Sequence, residues 1–328
     1  MMLGTSSASV NVNDVFSVDT YSGNGSTQSI TTGVDLVNHE GMILFVMRNN
    51  GGNNRALFDT LRGRTKVLRP DTSGPSGDAS LNTNSDLVSF NNDGFTVGTS
   101  YAVDLNNSSA NHVAWTFRKQ AKFFDVVTYT GNGASSRTVS HSLGTTPGMI
   151  WVKRTDGITH SWYCYHSAIS PNKTLELESS TYPLVHNGAW NQTAATSTVF
   201  TVGSDAEVNA NGQTYMAYLF AEDESFIKCG SYTGDGTNSH TINVGFQPQW
   251  ILFKYAGTSS LASWFVFDTA RGIVTANDGD LFIKLDDGSE ESFGNFLNLT
   301  STGFTLTSAS GATNASGEPY VYMAIAAS

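Results

Sequence analysis

Two histidines and a cysteine lie close together near the middle of the chain, at His160, Cys164 and His166. Their even spacings would place them on one face of a β-strand. Imidazole and thiolate are ligands that zinc prefers, so the pattern could indicate a metal site. A zinc site needs a fourth ligand or a water, and the corresponding parts of the chain lack these residue types. We therefore predict an aromatic core or surface strand here, with no metal and no cofactor.

An aspartate and an arginine three residues apart occur twice, as Asp59 with Arg62 and as Asp268 with Arg271. At this spacing the two side chains can pair across a helical turn or a tight loop. The arginine could act as an anion clamp, or the pair could fix the loop that follows a strand. The middle of the chain has no such pair, so we predict structural ion pairs.

Carboxylates could support calcium binding or sugar hydrolysis. An acidic run near the C-terminal end does not have the spacing of an EF-hand loop, and we predict a solvated sheet edge there. For hydrolysis, Glu176 with Glu178, or Glu290 with Glu291, could be proposed only from their positions. The chain has no phosphate loop, nucleophile elbow or His-Glu-x-x-His motif, and we predict that it is not an enzyme. The acidic run consists of Asp278, Asp280, Asp286, Asp287, Glu290 and Glu291.

Aromatic side chains are concentrated between residues 162 and 190, at Trp162, Tyr163, Tyr165, Tyr182 and Trp190. Exposed aromatic rings could stack on sugars and bind a glycan or a receptor. The same side chains could equally form the core of a β-sandwich. Both interpretations remain open from the sequence.

A repeated turn shows how these residues must be positioned. The segment 129–133 has the sequence Tyr-Thr-Gly-Asn-Gly, and similar segments begin 108 residues earlier at Tyr21 and 103 residues later at Tyr232. Glycine, asparagine and aspartate tolerate positive φ, so each segment predicts a strand that ends in a sharp turn. Three copies at nearly equal spacing indicate an internal repeat.

The rest of the chain follows the same period. Apolar runs at 41–48, 148–154 and 250–254 predict a central strand in each repeat, covered on both faces. We predict an all-β fold of three tandem β-sandwich, jelly-roll-like domains of about 105 residues. The predicted boundaries are an N-terminal arm at 1–13 and repeats at 14–122, 123–224 and 225–328.

Composition excludes some classes of function. Only 14% of the residues are charged and the formal net charge is −11, which argues against nucleic acid binding. Repeat 1 is nearly neutral, with 9 basic and 10 acidic residues, whereas repeats 2 and 3 each have 4 basic and 9 acidic residues. The N-terminus is not a signal peptide and no apolar run predicts membrane insertion. Two cysteines in different repeats predict no disulfide scaffold.

The combined pattern resembles a tandem-repeat family of predicted tail and surface proteins of marine tailed bacteriophages. It consists of the Tyr-Thr-Gly-Asn-Gly turn, the Gly-Phe-Gln-Pro approach at 245–248, the Trp-Ile-x-Phe-Lys strand at 250–254 and the Phe-Asp-Thr-x-Arg-Gly segment at 267–272. Segments 197–204 and 209–218 also resemble this family. The resemblance extends from about residue 14 to the C-terminus and is weakest in repeat 1. It implies a virion component, made in the cytoplasm of the bacterial host.

We expect a tail fibre or surface appendage that binds a glycan or protein of the host surface. Residues 1–13 and repeat 1 would attach to other virion proteins, and loops of repeats 2 and 3 would recognise the host. The alternative is a capsid or tail decoration protein with a purely structural role. A carbohydrate-degrading tail spike is a third hypothesis. By analogy with phage fibres we expect a homo-oligomer, such as a trimer.

Overall fold

The computed structural model describes residues 10–49, 55–74, 86–99, 103–258, 263–273, 281–286, 290–292 and 294–328. Within these residues the fold is all-β, as predicted, and every strand pair is antiparallel. We refer to residues 14–122, 123–224 and 225–328 as units 1, 2 and 3. Each unit contributes one larger and one smaller sheet.

Unit 1 has a larger sheet of strand order β1-β7-β3-β4 and a smaller sheet of order β2-β6-β5. Phe45 of the larger sheet packs edge-to-face on Phe95 of the smaller one, with ring centroids 5.0 Å apart. The two sheets therefore form a sandwich. The strands are β1 Phe16–Ser22, β2 Gln28–Thr31, β3 Gly41–Met47, β4 Arg55–Asp59, β5 Leu87–Phe90, β6 Gly94–Val97 and β7 Asn111–Arg118.

Unit 2 follows the same plan with an extended larger sheet. The larger sheet has the order β13-β12-β11-β10-β15-β8, and β14 pairs with β9 in the smaller sheet. A one-turn α-helix, α1, spans Ala206–Asn209. The strands are β8 Phe124–Thr130, β9 Arg137–Ser140, β10 Pro147–Arg154, β11 Tyr163–His166, β12 Lys173–Glu176, β13 Leu184–Val185, β14 Val199–Val202 and β15 Thr214–Ala221.

Unit 3 has a larger sheet of order β16-β17-β25-β19-β20-β21-β22 and a smaller sheet of order β18-β24-β23. β16 is Asp223–Glu224, so this sheet begins two residues before the predicted boundary. The other strands are β17 Ile227–Thr233, β18 His240–Asn243, β19 Pro248–Tyr255, β20 Phe265–Asp268, β21 Leu281–Lys284, β22 Glu290–Ser292, β23 Leu297–Thr300, β24 Gly303–Leu306 and β25 Pro319–Ala326.

The central strands β3, β10 and β19 are covered on both faces, as predicted. Every residue of β3 is buried. Because side chains alternate along a strand, Ile43 and Phe45 point into the unit 1 sandwich while Met42 and Leu44 point the other way. The second set belongs to a hydrophobic core that contains residues of all three units.

This shared core means that the units are joined by packing as well as by the chain. Trp250 of unit 3 contacts the rings of three unit 1 side chains, with centroid distances of 6.0 Å to Trp115, 6.1 Å to Phe117 and 6.2 Å to Phe16. Val12 is also buried in this core, within a 3-10 turn at Val12–Asp14. Val10 and Val12 of the predicted arm therefore pack on the core, and residues 1–9 lie outside the described residues. The division into three separate domains stays a prediction.

Candidate functional site

The repeated Tyr-x-Gly-[Asn/Asp]-Gly turns form one polar arrangement that occurs in every unit. In unit 2 the side chain of Asn209, which is fully buried, accepts the backbone N–H of Asn132 at 2.9 Å. Its amide group donates to the carbonyl oxygens of Ala134 and Gly203, at 3.0 and 2.7 Å. Tyr129, at the start of the turn, donates its hydroxyl to the carbonyl of Val208 at 2.8 Å.

Units 1 and 3 repeat this arrangement with Asn106 and Asn314, which are also fully buried. Each asparagine saturates its hydrogen-bonding capacity inside the protein, so it has a structural role. The sequence predictions do not name these asparagines as a set. Their signal is the spacing: the three asparagines are 103 and 105 residues apart, close to the 108 and 103 residues between the turns.

Three side chains at one strand position join each unit to a neighbour. Asp59, His166 and Asp268 each end the strand beside the central strand, where they pair with Met42, Met149 and Trp250. Each contacts the last long strand of another unit. The contacts are Tyr218 Oη to Asp59 Oδ2 at 2.8 Å, His166 Nε2 to the Tyr322 carbonyl oxygen at 3.2 Å, and Trp115 Nε1 to Asp268 Oδ2 at 3.0 Å.

A second set of equivalent side chains, Arg55, Trp162 and Trp264, lies at the start of the same strands or one residue before them. Each donates to a backbone carbonyl of another unit, on the side opposite to the partner of the first set. The three like contacts run from unit 1 to 3, from 3 to 2 and from 2 to 1, so they close a ring in which the units are related by an approximate threefold rotation. The acceptors are the carbonyl oxygens of Lys284 for Arg55, Arg69 for Trp162 at 2.9 Å, and Glu176 for Trp264 at 2.8 Å.

Both predicted ion pairs are present, and both lie at interfaces of this ring. Arg271 Nε lies 2.7 Å from Asp268 Oδ2, and neither side chain is exposed. Asp268 also caps the 3-10 turn Thr269–Arg271 by accepting the backbone N–H of Arg271. The Arg62–Asp59 pair has a distance of 2.6 Å. Each aspartate thus binds its own arginine and accepts a hydrogen bond from an aromatic side chain of the neighbouring unit, Tyr218 for Asp59 and Trp115 for Asp268.

The interface between units 2 and 3 is built differently. His166 occupies the aspartate position and Ile169 the arginine position, three residues later. Burial lowers the pKa of His166 to about 4, so the imidazole is neutral near pH 7. Its Nδ1 accepts the backbone N–H of Ala168, which leaves the proton on Nε2 for the Tyr322 carbonyl.

A cleft of about 460 Å³ opens at this interface. Unit 2 contributes Ile169, Ser170 and Lys173 to its lining, and unit 3 contributes Ser231 and Thr233 among others. No sequence prediction pointed to this cleft. The sequence feature beside it is the loss of the Asp-x-x-Arg pair in unit 2, from which we predict only that the pair is structural.

Comparison with known proteins identifies the family. A family model described as Domain of unknown function (DUF7483) matches residues 11–328. The chain belongs to this family. No curated protein matches it. The match includes all three units, so the DUF7483 region contains the whole ring.

The aromatic residues proposed for glycan binding are mainly interior in this DUF7483 protein. Trp162, Tyr163, Tyr165 and Trp190 are at most 4% exposed and belong to the shared core. A sugar ring cannot stack on a face that is already covered by protein, which removes these four residues as a glycan platform. Tyr182 is partly buried and packs against the core of unit 3.

The His160, Cys164 and His166 group does not converge. Cys164 is a buried free thiol whose pKa is raised by burial. His160 Nδ1 lies 3.0 Å from Glu207 Oε2, and His166 contacts unit 3. Among the described residues, no group of three or more His, Cys, Asp or Glu side chains is arranged to hold a metal ion.

Three of the four carboxylates considered for catalysis are engaged in structural contacts. Glu178 accepts the backbone N–H of Trp162 at 3.1 Å, and burial raises its pKa to about 7. Burial also raises the pKa of Glu176. Glu290 binds Arg48 of unit 1 with both oxygens, at 2.9 and 3.0 Å, and Glu291 lies 2.7 Å from Lys284.

The acidic run is only partly described. Asp286 accepts the backbone N–H of Trp264 at 2.8 Å, while Asp278, Asp280 and Asp287 lie outside the described residues. None of the described helices has the length and hydropathy needed to cross a bilayer.

Proposed function

We propose that this DUF7483 protein is a bacteriophage virion protein, a tail fibre or surface appendage that binds the host surface without catalysis. The observation that supports it best is the unequal ring. The interfaces between units 1 and 2 and between units 3 and 1 each contain an Asp-x-x-Arg pair, whereas the interface between units 2 and 3 lacks the pair and has an open cleft. These are the two units in which the sequence predicts recognition of the host.

The rest of the architecture is typical of a rigid structural protein rather than an enzyme. A core shared by three sandwiches makes a rigid body, because no unit can move without disturbing buried aromatic contacts. The polar arrangement that recurs in every unit consists of a buried asparagine whose hydrogen bonds stabilise the turn. Of the acid pairs of the tail-spike hypothesis, Glu178 is held by a backbone contact, and Glu290 and Glu291 are held by ion pairs.

A capsid or tail decoration role is the second candidate. The approximate threefold ring favours it, because such a ring matches a threefold position on a capsid or at the end of a trimeric fibre. In either role, attachment to other virion proteins would use residues 1–13 and unit 1, the unit nearest to neutral charge. One chain already supplies three units, so a homotrimer would contain nine.

Localisation on the particle separates these candidates. Antibodies against the purified protein should label intact virions in electron microscopy and should inhibit adsorption to host cells. Labelling without inhibition of adsorption would favour the decoration role. Virions that lack the protein would overturn both. Release of reducing sugar from host polysaccharide by the purified protein would instead revive the tail-spike hypothesis.

A further inference from the structure

The cleft between units 2 and 3 lies beside Ile169, where units 1 and 3 have an arginine. At the equivalent position of unit 3, Arg271 is completely buried at the interface with unit 1, and its guanidinium lies 5.6 Å from the centre of the Trp115 ring. Arg62 has the equivalent position between units 1 and 2, and its side chain is 13% exposed. Ile169 is shorter than arginine, carries no hydrogen-bond donor and lines the cleft.

The size and position of this space suit a small ligand. Ligand sites commonly have volumes of about 300–1,000 Å³ and lie at the interfaces between domains. A volume of about 460 Å³ can hold one or two sugar-sized rings. The cleft lies between two rigid sheets that are joined by the shared core, so it is formed before any ligand arrives.

The lining favours a hydroxylated ligand with a negative charge. Ser170, Ser231 and Thr233 are exposed and offer hydroxyl groups, while Ile169 and Pro319 supply apolar surface. Lys173 is the only charged residue of the lining, and within the described part of the chain it takes part in no ion pair. A lysine ammonium without a partner favours a carboxylate over a neutral or cationic group.

We propose that this cleft binds a saccharide residue that carries a carboxylate, with Lys173 paired to that carboxylate. The serine and threonine hydroxyls bond to the sugar hydroxyls, and Ile169 and Pro319 contact the apolar face of the ring. The inference rests on the proposed function, since it names the ligand class of the host-binding site. It makes the cleft, and not the buried aromatic cluster, the place of glycan recognition.

The test uses the full chain with defined sugars. The methyl glycosides of glucuronic acid, galacturonic acid and N-acetylneuraminic acid are titrated by calorimetry and by saturation-transfer NMR, beside methyl glucoside, methyl galactoside and sodium acetate. We expect at least one acidic sugar to bind about tenfold more tightly than its neutral counterpart and than acetate. Lys173→Gln should remove this preference. Lys122→Gln, which makes the same charge change outside the cleft, should keep it.

Filling the cleft gives an independent readout. The double variant His166→Asp/Ile169→Arg installs the pair that units 1 and 3 already use, and it should abolish sugar binding. Ser231→Tyr, at an exposed position of the lining, fills part of the cleft without touching the buried interface and should also abolish it.

Three results would overturn the inference: no binding by any of the acidic sugars, equal binding of acidic sugars and acetate, or acidic-sugar binding that survives both Lys173→Gln and Ser231→Tyr. The first would mean that the cleft is a packing defect only. Particle imaging decides the proposed function separately. If the protein is on the virion and is needed for adsorption but binds no acidic sugar, the proposed function stands and this inference is wrong.

Discussion

Two interfaces of the ring solve the same packing problem with different chemistry. Between units 3 and 1, Asp268 holds Arg271 and the Trp115 indole in a site closed to solvent. Between units 2 and 3, neutral His166 makes one contact to a backbone carbonyl, and Ile169 leaves a cleft. The backbone position is the same in both, because Asp268 and His166 end equivalent strands.

The difference teaches that the ring does not need a buried Asp-x-x-Arg pair at every interface. A buried ion pair is held together by strong attraction, but the desolvation of both ions offsets most of that gain. An interface without the pair avoids that desolvation cost and can tolerate open space. The interface between units 2 and 3 is therefore suited to a ligand site, whereas the closed interface between units 3 and 1 is suited to holding the units in a fixed arrangement.

Breaking the charged interface should have the largest effect. Asp268→Asn removes the nearer carboxylate partner of a fully buried guanidinium and weakens the acceptor of the Trp115 N–H. We expect the free energy of unfolding to fall by about 3 kcal/mol, since the buried charge keeps only Glu290, whose Oε1 lies 3.5 Å from Arg271 Nη1. Chemical denaturation measured by tryptophan fluorescence checks this.

The matched control for that variant is Glu224→Gln, which breaks the ion pair with Lys122 at 3.5 Å, where the lysine side chain is 62% exposed. This pair should contribute less than about 1 kcal/mol. Similar losses for both variants would mean that the buried pair has no special role at the interface.

Converting the neutral interface into the charged type sharpens the comparison. His166→Asp alone buries an unpaired carboxylate and should cost about 3 kcal/mol. Adding Ile169→Arg supplies the partner found in units 1 and 3, so the double variant should recover about 2 kcal/mol of that loss. A double-mutant cycle measures this coupling. Additive single effects would contradict the equivalence of the two positions.

The sequence predicted the parts of this arrangement that depend on period and local pairing. The apolar run 41–48 predicted a strand covered on both faces, and β3 is buried throughout. Asp268 and Arg271 are three residues apart, so their pairing could be inferred from local geometry alone. The burial of Trp162 and Trp190 could not be settled, because a strand pattern does not tell which face meets solvent and which meets another unit.

The ring itself could not be predicted from one repeat at a time. Trp115 and Asp268 are 153 residues apart, and nothing in either local sequence indicates that they touch. The contact follows from the way the three larger sheets meet, which depends on packing among distant side chains. The cleft was missed for the same reason, since the importance of Ile169 becomes clear only when it is compared with Arg62 and Arg271 at the equivalent positions of units 1 and 3.

Acidification should weaken the neutral interface through His166. Its pKa is lowered from an ordinary value of 6.5 to about 4, mainly by desolvation. Between these values the unfolded chain binds more protons at this residue, so the free energy of unfolding falls as pH falls from 6.5 towards 4. At pH 5 we expect a loss of about 2 kcal/mol relative to neutral pH from this group.

The measurement compares the wild type with His166→Gln over this pH range. His112, whose pKa burial also lowers to about 4, acts in the same direction, and Glu178, whose pKa is raised to about 7, acts in the opposite one. Both groups are present in each protein, so their effects cancel in the difference. Parallel pH curves for the two proteins would show that His166 does not titrate on unfolding.

The smallest effect is expected at Lys254, the buried cation that unit 3 directs towards unit 2. Its Nζ donates to the Ser179 carbonyl at 2.7 Å and lies 5.2 Å from the centre of the Trp264 ring. Burial lowers its pKa from 10.5 to about 8, so the charged form carries a desolvation cost at neutral pH. Val46 occupies the equivalent position of unit 1, which suggests that an apolar side chain fits there.

Lys254→Met should therefore change the free energy of unfolding at pH 7 by less than about 1 kcal/mol, because the relieved desolvation offsets the lost hydrogen bond. The wild type should gain about 2 kcal/mol relative to this variant as pH rises from 8 towards 10.5, since the unfolded chain then releases a proton that the folded lysine has already lost. Denaturation curves at neutral and alkaline pH measure both effects. A loss of several kcal/mol at pH 7 would instead mean that the interface between units 2 and 3 depends on buried charge as much as the interface between units 3 and 1.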